Sequence, residues 1–209
     1  MKLEKYLDYT ILKPAATKAD VENLCKKAIQ LDTASVCINP CYVAYAKELL
    51  QDSNVKVCTV IGFPLGATDT QTKCFETRQA IANGATELDM VINVVYLKDK
   101  NYDYLKNEIA ALKEVCKDLV LKVIIETCLL TDEEKIKVCE LALEAGADFV
   151  KTSTGFGSHG ATIEDVKLMK SVVKEKASVK ASGGIRDSKT AKAMIDAGAS
   201  RIGTSGLLD

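Results

Sequence analysis

Two hydrophobic rhythms alternate along this chain. Short apolar, β-branched segments recur near residues 7–11, 34–38, 56–62, 88–93, 119–126, 148–152, 178–181 and 201–204. Between them lie longer stretches with the apolar stripe of an amphipathic helix. Several of these stretches open on a capping signal, as in Thr17-x-x-Asp20, Thr131-x-x-Glu134 and Thr162-x-x-Asp165. Three near-repeats mark the helix-to-strand junctions: Asn83-Gly84-Ala85-Thr86-Glu87-Leu88, Ala145-Gly146-Ala147-Asp148-Phe149-Val150 and Ala197-Gly198-Ala199-Ser200-Arg201-Ile202. In each, an amphipathic run ends at a glycine suited to a left-handed helix cap, and a strand follows. Eight strand candidates, spaced roughly 22 to 32 residues apart, leave room for one helix each. The pattern predicts an α/β chain folded as a single (β/α)8 TIM barrel, one catalytic domain over residues 1–209. A doubly wound open sheet is the alternative, but no Gly-x-Gly-x-x-Gly follows the first strand.

Composition narrows the setting. Of 209 residues 47% are apolar, so one large core is affordable, and no linker or low-complexity stretch divides the chain. A net charge of −1 provides no field for nucleic acid or an anionic membrane. The opening Met1-Lys2-Leu3-Glu4-Lys5-Tyr6 is charged where a signal peptide needs an apolar run, and no apolar stretch reaches the length of a membrane span. A soluble, cytoplasmic protein is expected, with a homo-oligomer left open. Eight cysteines contain no Cys-x-x-Cys pair, and the closest spacing, Cys37 to Cys41, has no matching second pair. They read as reduced, half-buried apolar side chains rather than as disulfides or zinc ligands.

Strand alternation sorts the remaining polar residues onto one side. Asp8 and Thr10 share a face, as do Asp89, Val91 and Asn93, then Lys122, Ile124 and Glu126, then Lys151 and Ser153, then Lys180 and Ser182. In a closed barrel that face meets no bulk water, so its charges must be paired or used. Lys122 and Glu126 read as a buried ion pair supporting the interior. Lys151, in Phe149-Val150-Lys151-Thr152-Ser153-Thr154-Gly155, and Lys180, in Val179-Lys180-Ala181-Ser182-Gly183-Gly184, instead stand at equivalent strand positions before glycine turns. Such a pair suits a site where one amine holds the other neutral and nucleophilic, and hence Schiff-base chemistry on a carbonyl.

Gly155, Gly183, Gly184 and the run Gly203-Thr204-Ser205-Gly206 follow strands six, seven and eight. Barrels that bind phosphorylated substrates place the phosphate there, on backbone N–H groups and a helix N-terminus. Arg186 adds charge to this end, with Ser182 and Ser205 as donors. Asp8, Thr10, Cys37 and Thr154 are further candidates for the substrate pocket. The single histidine, His159, reads as a loop residue, so no metal site is expected.

These segments resemble the deoxyribose-phosphate aldolase family of class I aldolases. The resemblance begins at Leu7-Asp8-Tyr9-Thr10-Ile11-Leu12 and runs through Val36-Cys37-Ile38-Asn39-Pro40, Val60-Ile61-Gly62-Phe63-Pro64-Leu65-Gly66 and Glu87-Leu88-Asp89-Met90-Val91-Ile92-Asn93. It continues over both lysine segments to Arg201-Ile202-Gly203-Thr204-Ser205. It implies a (β/α)8 barrel with Lys151 as the Schiff-base lysine and Asp89 and Lys180 as a proton-relay pair. Gly155, Gly183, Gly184 and Ser205 would grip the phosphate, and no external cofactor is needed. Some family members carry a C-terminal tail ending in a tyrosine that helps proton transfer, whereas this sequence closes on Leu207-Leu208-Asp209.

The implied reaction is reversible cleavage of 2-deoxy-D-ribose 5-phosphate to acetaldehyde and D-glyceraldehyde 3-phosphate. Two alternatives remain at this point. One is another metal-free phosphosugar aldolase or isomerase on the same barrel. The other is a catalytically silent phosphosugar-binding protein, which would have little use for Lys151, Lys180 and Asp89 on one inward face.

Overall fold

The structure, a computed structural model, describes residues 2–206. The reading of the C-terminal tail falls on residues 207–209, which lie outside the described residues. Eight strands, β1 (Leu7–Ile11), β2 (Ser35–Ile38), β3 (Lys56–Ile61), β4 (Glu87–Val91), β5 (Val120–Ile124), β6 (Phe149–Lys151), β7 (Ser178–Ser182) and β8 (Arg201–Thr204), pair in parallel in sequence order. β8 returns to β1 through the register Asp8 with Gly203, which closes the barrel. This is the single (β/α)8 barrel that the pattern predicts, and closure removes the free edges of the open-sheet alternative.

The helices of the described residues are α1 (Lys18–Leu31), α2 (Val43–Leu49), α3 (Thr70–Ala82), α4 (Val94–Lys98), α5 (Tyr102–Cys116), α6 (Asp132–Glu144), α7 (Ile163–Val173) and α8 (Ser188–Asp196). α4 and α5 together follow β4. The capping signals work as read: Thr17 and Thr131 form reciprocal capping boxes with Asp20 and Glu134, and the Thr162 hydroxyl accepts from the Asp165 amide. Gly84, Gly146 and Gly198, one residue past the helix caps, all take positive φ, between 81 and 116°, which turns each chain end back toward its strand. No helix among the described residues is long and apolar enough to cross a membrane.

The main core lies between barrel and helices. Leu88, Met90 and Ile92 of the fourth strand segment, and Leu121, Val123 and Ile125 of the fifth, point into it beside Val150, Val179 and Ile202. A second, smaller apolar cluster of Leu12, Cys37, Cys58 and Val60, flanked by Phe63, sits among the first three strands. All eight cysteines are free thiols and six are buried. Burial pushes the Cys25 thiol up to about 11 and those of Cys116 and Cys139 up to about 12, as suits inert packing residues.

One charged pair sits outside the barrel, in the helix layer. Lys73 of α3 and Glu108 of α5 are fully buried and meet at 2.8 Å. The Lys73 ammonium also donates to the Val91 carbonyl at 2.9 Å, and the Glu108 carboxylate accepts from the Asn93 amide at 3.2 Å. Burial lowers the proton affinity of Lys73 and raises that of Glu108, and each partner opposes the shift of the other. The pair thus clamps the C-terminal end of β4, from which Asp89 projects. Lys73→Met should lower the unfolding free energy in urea by about 3–5 kcal/mol by stranding a buried carboxylate. The double change Lys73→Met with Glu108→Leu should recover most of that loss.

Candidate active site

Strand pairing sets the geometry of the barrel interior. Lys151 and Lys180 are register partners on β6 and β7, Asp89 and Lys122 on β4 and β5, and Cys37 and Cys58 on β2 and β3. The side chains converge on the Asp89 carboxylate, which is wholly buried. One of its oxygens, Oδ2, accepts from Lys151 Nζ and from Lys180 Nζ, each at 2.7 Å. The other, Oδ1, accepts from Lys122 Nζ at 2.8 Å and from the Cys58 thiol at 3.2 Å. Lys180 reaches past Asp89 to a second carboxylate, Asp8. Gly203, on the neighbouring strand, makes room for it: a Cβ there would lie 2.9 Å from Ser182 Cβ and 3.3 Å from Lys180 Cε.

Electrostatics follow from these contacts. Burial alone would protonate Asp89, but Lys122, Lys151 and Lys180 outweigh it and hold the carboxyl well below its usual range. Burial likewise acts against the charge on Lys180, and Asp8 and Asp89 overcome it, so this amine is held protonated above the usual lysine range. Asp8 is depressed in the same way, against burial, by Lys180, Lys122 and Arg201. The interior is therefore a zwitterionic lattice in which each ion exists because of its neighbours.

Lys151 is the member of this lattice that meets the outside. Its side chain forms part of the floor of a cleft of about 340 Å³ at the C-terminal ends of the strands. Thr10, Thr154, Gly155, Gly183, Gly184, Arg186, Gly203 and Ser205 line the same cleft, so the sequence brings its candidate phosphate group together. Asp8, Cys37, Asp89 and Lys180 do not line it but lie below, in the interior. The N-terminus of α8, which follows the Gly183-Gly184 turn, is already capped by the Asp187 carboxylate, which accepts from the Thr190 amide at 2.8 Å. Ser182 also lines the cleft, with its hydroxyl donating to the Ser153 carbonyl at 2.6 Å. Phe156, beside Gly155 in the same lining, packs edge-on against Phe63, ring centroids 5.3 Å apart.

The expected Lys122–Glu126 ion pair does not form. β5 ends at Ile124, and Glu126 takes a left-handed conformation (φ 54°, ψ 69°), so strand alternation does not extend to it. Its carboxylate turns to the next loop, where it accepts from the Thr154 hydroxyl and from the Thr154 amide at 3.3 Å. Lys122 pairs instead with Glu87 at 2.6 Å and Asp89 at 2.8 Å, with Asp8 at 3.6 Å. Glu87 and Arg201, which the sequence reading passed over, close the base of the lattice: Arg201 meets Asp8 at 2.5 Å and Glu87 at 2.9 Å. The signal was present, because Glu87 stands two residues from Asp89 and Arg201 two from Gly203.

Among the described residues, two sets of buried side chains have donor atoms close enough to share a metal ion, Cys37 with Cys58 and Asp89, and Asp8 with Cys58 and Glu87. Their oxygens already accept from Lys122, Lys180 and Arg201, so a cation would have to displace ammonium and guanidinium groups from the same lone pairs. The donor set does not suit a metal. His159 stands exposed on its loop, its Nδ1 3.1 Å from the Gly160 carbonyl.

The closed parallel barrel, with a lysine amine at the floor of a cleft at the C-terminal ends of its strands, has the architecture of a barrel enzyme. The profile of the DeoC/LacD family of aldolases matches residues 3–208, and this chain belongs to that family. It is 58% identical to the deoxyribose-phosphate aldolase of Mycoplasma capricolum over all of this chain and 94% of that one. With the enzyme of the same name from Clostridium tetani the identity is 59%, over 98% of this chain and 95% of the relative. Among solved structures, the aldolase QR15 superposes with a TM-score of 0.95 at 45% identity, covering 98% of this chain and 92% of its own. The tetrameric deoxyribose phosphate aldolase of Aeropyrum pernix does so at 0.91 and 35% identity, over 97% and 86%.

The lattice predicts a bounded pH range of stability. Asp8 and Asp89 are depressed on folding, so their contribution is present above the unfolded carboxylate range, near pH 4, and is lost on acidification below it. Lys122 and Lys180 are raised on folding, so theirs is present below the unfolded lysine range, near pH 10.4, and is lost as pH rises past it. Thermal melts should show a plateau between about pH 5 and 10 with falls on both sides. A melting temperature that drops steadily across that range would contradict this assignment of charges.

Proposed function

We propose that this chain catalyses the reversible aldol cleavage of 2-deoxy-D-ribose 5-phosphate to acetaldehyde and D-glyceraldehyde 3-phosphate, with Lys151 as its nucleophile. The observation that carries this reading is the position of Lys151, bonded to Asp89 below and open to the glycine-lined cleft above. Its neutral amine attacks the open-chain aldehyde carbon, and the carbinolamine loses water to a protonated imine. The C2–C3 bond then breaks, and its electron pair flows to the imine nitrogen to give an enamine. The C3 hydroxyl loses its proton to a base, which releases D-glyceraldehyde 3-phosphate. Protonation of the enamine at C2 and hydrolysis of the imine release acetaldehyde and restore Lys151.

Asp89 and Lys180 serve these proton transfers through a water. An anionic carboxylate and a protonated amine, bonded to one another and adjacent to Lys151, supply an acceptor and a donor. No external cofactor enters the scheme. The phosphate lies among Gly155, Gly183, Gly184, Arg186, Gly203 and Ser205, with Thr10 and Thr154 nearer the reacting carbons; Asp8 and Cys37 support the site from below. The whole chain acts as one catalytic domain in the cytoplasm, as a homo-oligomer, consistent with the tetramer of the Aeropyrum pernix relative.

Lys151→Arg should abolish cleavage while leaving the far-ultraviolet circular dichroism unchanged, because a guanidinium stays protonated and forms no imine. Borohydride reduction in the presence of substrate should attach the sugar fragment to the peptide containing Lys151. Label on Lys180 alone would overturn the assignment.

The phosphate end is tested separately. Ser205→Ala should cost about 1.5–3 kcal/mol of binding if its hydroxyl meets a charged oxygen. Gly184→Asp, which sets a negative charge in the same place, should cost more. Both should impair 2-deoxyribose 5-phosphate far more than unphosphorylated 2-deoxyribose in steady-state kinetics. Equal losses on the two sugars would put the phosphate elsewhere.

A further inference from the structure

The scheme above gives no task to Lys122, although it is among the largest fully buried side chains in the molecule. Each of the other seven strands contributes a group to the buried column in which it stands. Asp8 comes from β1, Ser35 and Cys37 from β2, Cys58 from β3, Glu87 and Asp89 from β4, Lys151 from β6, Lys180 from β7 and Arg201 from β8. Ser35 donates to Asp8 Oδ1 at 2.7 Å, and Lys122 itself reaches the Cys58 sulfur at 3.3 Å. Three carboxylates in this column thus face four cationic side chains, and the cations share them unequally. Lys122 has three carboxylate partners, Lys180 and Arg201 two each, and Lys151 only Asp89.

The two oxygens of Asp89 divide the work. Oδ2 serves the amines nearest the cleft, and Oδ1 is taken by Lys122 and Cys58. A carboxylate held by one oxygen from below cannot rotate to offer the other elsewhere. We propose that Lys122 is a positioning residue for the amine chemistry of Lys151: it fixes the plane of Asp89 and sets a buried positive charge on the same carboxylate that Lys151 meets. This rests on the reading of Lys151 as the imine-forming lysine. Glu87 and Arg201 complete the device from beneath, since Glu87 anchors Lys122 and Arg201 anchors Glu87.

The sign of the effect follows from charge alone. Removing a cation close to Lys151 stabilises its ammonium form, so the neutral amine appears only at higher pH. In Lys122→Met, the rising limb of the rate of borohydride trapping against pH should move upward by roughly half to one unit. The turnover number should fall about 10- to 100-fold with KM changed less than about twofold, because what is lost is alignment at the reacting atoms. Lys122→Arg, which keeps the charge, should return the limb toward its wild-type position.

Should Lys122→Met fail to fold, the double variant Lys122→Met with Glu87→Gln removes one charge of each sign and leaves the net charge of the column unchanged. The same upward shift is expected in it, because Lys122 is bonded to Asp89 directly whereas Glu87 reaches Asp89 through Lys122 or by the longer route of Arg201, Asp8 and Lys180. A folded variant with the wild-type limb and turnover would overturn the proposal. So would a loss of thermal stability with no movement of the limb, which is what a merely structural lysine would give. Trapping of the wild-type protein is run beside these variants. If substrate fails to label Lys151 there, the reading of the nucleophile falls; if it labels Lys151 and the variants are unchanged, only the role of Lys122 falls.

Discussion

A barrel interior cannot hydrate an ion, and that constraint organises this molecule from the axis outward. Burying a single carboxylate or ammonium costs several kcal/mol even after relaxation, so each charge inside must find its opposite within hydrogen-bond distance. The chain meets the requirement by spreading the partners over strands far apart in sequence. Asp8 and Arg201 are separated by 193 positions yet meet directly because β8 closes on β1. Closure and charge pairing are therefore the same event: an open sheet would leave Asp8 without Lys180 and Arg201, and an unpaired Asp8 would oppose closure.

The outer architecture was open to reading from the sequence because it rests on local chemistry. Capping pairs such as Thr131 with Glu134, glycines such as Gly146 past the helix ends, and the alternation of Leu88, Met90 and Ile92 are each determined within a few residues. Lys151, Lys180 and Asp89 were legible for the same reason, since strand alternation brings all three inward. What escaped depends on where a strand stops. Two residues past the end of β5, Glu126 adopts a left-handed backbone, and the period of two that would have set it beside Lys122 no longer applies. Lys73 and Glu108 escaped because nothing on either helix alone marks a charge for burial; only the packing of α3 on α5 pairs them.

The contrast between the two buried ionic groups is informative. Lys73 and Glu108 form a simple pair that fixes backbone through the Val91 carbonyl and the Asn93 amide. The axial group has an excess of one cation over its carboxylates, so it cannot be neutral with every member in its ordinary state. A structural pair gains nothing from such an imbalance. The imbalance lies where one end of the group, Lys151, opens to the cleft.

The cleft is lined by surfaces of two unlike kinds, apolar at Leu12, Ile185 and Phe156 and polar at the glycine turns with Arg186 and Ser205. Water and anions are at home against only one of them. A slender molecule with a charged tip and an uncharged tail can then settle lengthwise in a single sense, because the reversed pose would press its charge on hydrocarbon and forfeit its hydration. Direction along the cleft is thus imposed before any bond is made, by the difference between a wet side and a dry one.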